Sequence, residues 1–268
     1  MAVEFADLPQ EVVILIASHL PQPSPYVNQS ERNPSNLPAY ATISRAWQYA
    51  IECRTFRYIE LKSPDLQFFS RIMSKERRKI LRLLRYYVVL PTYSDKRCAK
   101  FETEQDKTIN NQIFTTAIKD LLGLLRSWHD QDQPSDSIDE SLLLCLGQPY
   151  SPMDVGHRGY AKHEEDRFNW SLGRRCDLWA ARYRSSILRL QGLENVQEVP
   201  QVSSFTCSSG ARMIEPCSIL LLASKFPNLE CFHGTLSDNE KDCSLRQQMR
   251  HGQSSSILPR DPICKPSD

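Results

Sequence analysis

Leu8-Pro9-Gln10-Glu11-Val12-Val13-Ile14-Leu15-Ile16-Ala17-Ser18-His19-Leu20 decides how the rest of this chain is read. Pro9 suits the first position of a helix, where its missing N–H costs nothing. Glu11 in the first turn complements the helix dipole. Val12, Ile16 and Leu20 recur at four-residue spacing with Val13 beside them, which predicts a helix with one apolar stripe facing a partner. Pro21, Pro23 and Pro25 end it, and the polar stretch through Asn36 has no helical period.

A second helical stretch comes at Leu37-Pro38-Ala39-Tyr40-Ala41-Thr42-Ile43-Ser44-Arg45-Ala46-Trp47. Tyr40, Ile43, Trp47 and Ile51 supply its stripe at three- and four-residue spacing. Phe56, Ile59 and Leu61 then alternate as a first strand would. Taken one at a time, such stripes equally describe two helices packed on their own domain. The combination of Leu-Pro-x-Glu, Ile-Ser-Arg-x-Trp and Phe-x-x-Ile-x-Leu resembles the F-box, a small helical module that docks an adaptor onto a cullin-based ubiquitin ligase. Residues 21–36 are longer than the connection usual in that family: either a tolerated surface loop, since closure entropy grows only slowly with length, or a weakening of the docking surface. The resemblance implies that Leu8, Pro9, Val12, Val13, Ile16, Leu20, Leu37, Ile43 and Trp47 contact a Skp-family linker protein and, through it, a cullin. It places the F-box at 4–61 and a repeat-like substrate-binding domain at 62–250; residues 251–268, with a serine run, three prolines and no periodicity, read as a disordered tail.

Composition fits an intracellular adaptor. The 268 residues carry a net charge of +1, so no general nucleic-acid footprint is indicated. No apolar run reaches the ~18 residues of a membrane span. The first seven residues lack the basic and apolar regions of a signal peptide, and a cytoplasmic or nuclear location is expected. Nine cysteines, an odd number without a Cys-x-x-Cys, read as reduced thiols that mostly behave as small buried hydrophobes. Cys231-Phe232-His233 has no second pair to complete a zinc site, so neither a metal nor another cofactor is expected.

Beyond residue 61, Ser63-Pro64-Asp65 reads as a helix start. The basic run from Lys75 to Arg85 reads as the solvated face of a helix over Ile80, Leu83 and Leu84, with phosphate binding or nuclear import as its functional alternative. Tyr86–Leu90 is a candidate strand, residues 91–108 a loop, and Ile109 to Trp128 a long core helix. Further strands are expected at 142–146, 187–190, 202–207 and 229–232, a helix at 216–226, a charged excursion at 147–185 and a capping box at Ser237–Glu240. A helix ending in Phe-Pro-Asn-Leu-Glu before a strand resembles degenerate leucine-rich-repeat adaptors. Most of the chain to about residue 250 resembles filamentous-fungal F-box proteins, whose members usually continue further. The fold expected is therefore α+β, a helical F-box followed by a repeat-like domain that stops short.

No G-x-S-x-G elbow, Gly-rich phosphate loop or H-E-x-x-H is present. Ser127, His129 and Asp130 have the residue types of a triad but are too close in sequence to face one another, and His163-Glu164-Glu165-Asp166 reads as a solvated loop. A non-catalytic adaptor that brings a protein substrate near another enzyme is the function expected. Binding of the linker outside a cullin complex, or a plain structural helical protein, are the alternatives.

Overall fold

The computed structural model describes residues 8–20, 37–94, 97, 100–132, 141–154, 186–207 and 212–234. All belong to the first of two units, Met1–Thr235, and the second, Leu236–Asp268, lies outside them. Outside them too are the Pro-rich connection 21–36, most of the charged excursion, the capping box at 237–240 and the tail.

Helix and strand are mixed through the chain, as expected for α+β. Helices α1 (Gln10–His19), α2 (Leu37–Tyr40) and α3 (Arg45–Thr55) come first. They enclose a small core of Val13, Ala17, Trp47, Ala50 and Ile51. The chain then lays down strand β1 (Tyr58–Lys62) and a short 3₁₀ turn at Ser63–Asp65 with Pro64 near its start, then α4 (Leu66–Ile72), α5 (Lys75–Ile80) and β2 (Leu83–Tyr87). Next come the long helix α6 (Glu104–Asp132), β3 (Leu142–Leu146), β4 (Ile187–Leu188), β5 (Val202–Cys207), β6 (Met213–Ile214), α7 (Pro216–Ala223) and β7 (Cys231–Gly234).

Five strands form one sheet in the order β1-β2-β3-β5-β7, and every pairing is parallel. Parallel neighbours need crossovers, and the intervening helices supply most of them. Ile59, Leu84, Leu144, Phe205 and Phe232 stand in one register row. Leu84, Leu144 and Phe205 are buried, and α4, α6 and α7 cover that face through Phe69, Leu121 and Leu222. The Tyr86 hydroxyl donates to the Ala117 carbonyl at 3.0 Å, tying sheet to helix. On the opposite face Glu60, Arg85, Cys145, Thr206 and His233 form the next row. Arg85 pairs there with Glu60 at 2.9 Å.

Three expectations change. The basic segment is not one helix: α5 stops at Ile80, and Leu83 and Leu84 enter β2 to pair with Tyr58 and Ile59. Strand pairing in a buried sheet outweighs the helical spacing those residues also satisfy. The long helix begins at Glu104, inside the segment read as loop. Thr103 and Asp106 cap it reciprocally: Asp106 N–H donates to Thr103 Oγ1 at 3.2 Å and Thr103 N–H to Asp106 Oδ2 at 3.0 Å. Finally, 187–188 does not join the main sheet but pairs with β6.

A buried ionic cluster lies among the loops at the ends of the strands. The Arg212 side chain is 2% exposed, with Nη1 2.9 Å from Glu102 Oε1 and Nε 3.7 Å from Asp154 Oδ2. Asn110 Nδ2 donates to Glu102 at 3.1 Å, and the Ser186 hydroxyl donates to its other oxygen. Asp154 accepts from the Ser151 N–H at 2.8 Å and the Tyr93 hydroxyl at 2.7 Å. Asp154 and Ser186, which flank residues 155–185, are therefore linked through Arg212 and Glu102.

Candidate functional site

The N-terminal module is built from capping and a few apolar contacts. Pro9 precedes α1 as its cap residue, one position earlier than expected, and its carbonyl accepts from Val12 N–H at 3.0 Å and Val13 N–H at 3.1 Å. Last-turn carbonyls of a helix lack intrahelical donors. Here the Arg54 guanidinium of α3 supplies them, donating to Ala17 O and, at 2.6 Å, to Leu20 O. Ser44, in extended conformation, caps α3 by accepting from the Trp47 N–H at 3.4 Å. Trp47 stacks on Tyr40 with ring centroids 5.8 Å apart. Its indole N–H is buried without an acceptor among the described residues.

These contacts divide the sequence-predicted residues. Val13 and Trp47 are 1% and 3% exposed and form the module's own core, so neither offers a surface to a partner. Leu8, Ile16, Leu20 and Leu37 are half-buried and pack against that core. Pro9, Val12 and Ile43 are exposed. Ile14 and Leu15, at 39% and 61% exposure, lie outside the predicted set yet stand open. At ~100° per residue, α1 carries apolar side chains well beyond the arc α3 covers. Val13 and Ala17 face inward, while Val12 and Leu15 lie past one edge of the contact and Ile14 past the other.

Arg77 of α5 ties the module to the adjoining helices and sheet. Its Nη2 lies 2.8 Å from Glu52 Oε1, its Nη1 donates to Ile72 O at 2.7 Å, and its guanidinium sits 4.6 Å from the Phe56 ring centroid. The Arg77 hydrogen bond holds the Glu52 carboxyl below the ordinary carboxylate range, against the opposing effect of burial. A carboxylate depressed in the folded state contributes stability above its unfolded pKa of ~4.3, and that stability is lost as pH falls through the folded value. Arg77→Met should therefore destabilise the protein more at about pH 7 than at about pH 3. The pH-independent contacts to Ile72 and Phe56 should keep the difference above zero. Urea titrations of both proteins at the two pH values measure it, and an equal cost at both would remove the ion pair from the account.

No family model matches the chain, nor does any curated protein or solved structure.

Other candidate chemistry is arranged structurally. Ser127 Oγ donates to Leu124 O at 2.7 Å and Asp130 pairs with Arg126 at 2.8 Å, so neither addresses His129. His163 to Asp166 lie outside the described residues. Cys53, Cys145, Cys207 and Cys231 are free thiols, two of them buried, and burial pushes the Cys207 thiol up to about 11. Cys231 Sγ lies 3.1 Å from His233 Nε2. Among the described residues no group of three or more His, Cys, Asp or Glu is placed to hold a metal, and no helix is long and apolar enough to cross a membrane.

Proposed function

We propose that this chain is an F-box adaptor that recruits a protein substrate to a Skp–cullin–F-box ubiquitin ligase. The observation that carries the reading is the surface of α1. A module whose described residues include five buried core side chains leaves Val12, Ile14 and Leu15 of one helix exposed, with Ile43 also exposed after α2. Exposed apolar groups concentrated on one short element mark an interaction site. A Skp-family linker would cover them, and a cullin would join through the linker. The sequence resemblance, Leu-Pro-x-Glu through Ile-Ser-Arg-x-Trp, supports the same partner.

The sheet supports the adaptor's second half. Each strand of β1-β2-β3-β5-β7 pairs with its predecessor in the main sheet, as in leucine-rich-repeat folds. Strands starting at 58 and 83, and again at 202 and 231, keep the ~20–29-residue interval of such repeats. The intervals between them are longer and carry the insertions. A substrate would be held by the loops that join the strands from 142 to 232, bringing its lysines near a charged conjugating enzyme by effective concentration rather than by chemistry.

Co-purification of the full chain with a Skp-family linker is the test. Val12→Asp and Leu15→Asp each place a charge on the docking face and should weaken linker binding by about tenfold or more. Because both side chains are exposed, the melting temperature should hardly move. Undiminished binding by the double variant would overturn the docking surface. A linker that never co-purifies with the wild type would overturn the adaptor reading, and a linker complex that excludes the cullin would restrict it to a role outside the ligase.

A further inference from the structure

The basic run between Lys75 and Arg85 is sorted by the fold. Arg77 is paired with Glu52 and Arg85 with Glu60. Arg78, Lys79 and Arg82 line a cavity of about 50 Å³ together with Trp128, His129 and Gln201. The cavity lies where α5 and α6 end and where β2, β3 and β5 begin. No carboxylate of the described residues lines it.

Lys79 and Arg82 have unused capacity. Among the described residues the Lys79 side chain has no hydrogen-bond or ion-pair partner. Arg82 engages only Nη1, donating to Lys79 O at 2.8 Å and Leu81 O at 3.3 Å. Those contacts cap the end of α5 and account for part of its presence, but a guanidinium has five N–H donors. Arg78 is aimed by Gln131, whose Oε1 accepts from it at 3.2 Å, and by the Trp128 ring, whose centroid is 5.7 Å away. Guanidinium forks match the oxygens of phosphate, and a lysine adds a point charge. Room for a few water-sized groups suits one tetrahedral oxyanion.

We propose that this cavity binds a phosphate group, with Lys79 and Arg82 as its ligands and Arg78 beside them. The group would arrive either on a phosphorylated side chain of a protein partner or as free phosphate. The inference is independent of the adaptor reading, because it is measured on the chain alone.

The probes are inorganic phosphate and the tripeptide Ala-phosphoserine-Ala, titrated calorimetrically into the full chain, with sodium acetate at matched ionic strength as the control. Saturable binding of either phosphate probe but not acetate is expected. Tighter binding of the tripeptide identifies the phosphorylated side chain as the source, and tighter binding of inorganic phosphate identifies the free ion; both support the site. Lys79→Ala should weaken binding about tenfold or more, since 1.4 kcal/mol is a factor of ten and charge-assisted bonds reach it. It removes no side-chain hydrogen bond among the described residues, so the fold should be retained. Arg82→Gln is the second variant, checked first for an unchanged circular dichroism spectrum. Absence of saturable binding, an equal response to acetate, or wild-type affinity in folded Lys79→Ala would each overturn the proposal. Linker co-purification by Lys79→Ala should be unaffected, which separates failure here from failure of the adaptor reading.

Discussion

Replacing Arg212 by methionine is expected to destabilise the protein by about 3–5 kcal/mol, the usual cost of removing one partner from a buried ion pair. For a chain of this size the melting temperature should fall by roughly 10 °C. The substitution leaves Glu102 and Asp154 in the interior, at 0% and 3% side-chain exposure, without the guanidinium between them. Asn110, Ser186, Tyr93 and the Ser151 N–H still donate to the two carboxylates. These donors limit the loss but do not neutralise two adjacent negative charges. Equilibrium urea unfolding measures it. A cost below about 1 kcal/mol would show that the remaining donors satisfy the two carboxylates without the guanidinium.

The second large effect is expected at Trp47. Truncation to alanine should cost about 3–5 kcal/mol, as for other buried aromatic residues. The loss should fall mainly on the N-terminal module, whose buried core among the described residues has only Val13, Ala17, Ala50 and Ile51 besides. Trp47→Phe should be far milder. It gives up some packing against Tyr40, but it also removes a buried indole N–H that has no acceptor among the described residues, a defect of about 1–3 kcal/mol. Hydrogen exchange resolves the pattern. Trp47→Ala should abolish protection in 10–19 and 45–55 while leaving 114–125 slow, and uniform loss across both regions would mean that the module and the sheet unfold as one unit.

Much of the fold is legible because it depends on local pattern. Leu142–Leu146 and Val202–Cys207 are short apolar or β-branched runs between polar stretches, and both are strands. Phe114, Ile118, Leu121, Leu125 and Trp128 repeat at helical spacing and are buried on α6. The start of that helix is also written in the sequence, as Thr103-Glu104-Gln105-Asp106, but its acid is Asp rather than the commoner Glu. Leu83 and Leu84 are ambiguous in principle. Two adjacent apolar residues fit a helix or a strand, and only the partners in β1 and β3 decide.

The candidate docking site is readable as a region and not residue by residue. Val12, Ile16 and Leu20 form one stripe on α1, but Val13 and Ala17 form another beside it at the same spacing. Periodicity cannot say which stripe α3 will cover. The answer comes from Trp47, Ala50 and Ile51, which take Val13 and Ala17. The Arg212 cluster has no local signature at all. Its members lie at 102, 110, 154, 186 and 212, and only folding brings them together.

The strand order has a consequence for how much this chain can change. In β1-β2-β3-β5-β7 every strand bonds only to its neighbours in the order of the sheet. New residues placed between two strands need not slide any pair out of register. Each doubling of a connection adds only about 0.6 kcal/mol of closure entropy. Natural variation should therefore accumulate as length between strands, while the five strands keep their alternation. Engineered cargo, an epitope or a small folded domain, has its natural points of entry in the same connections.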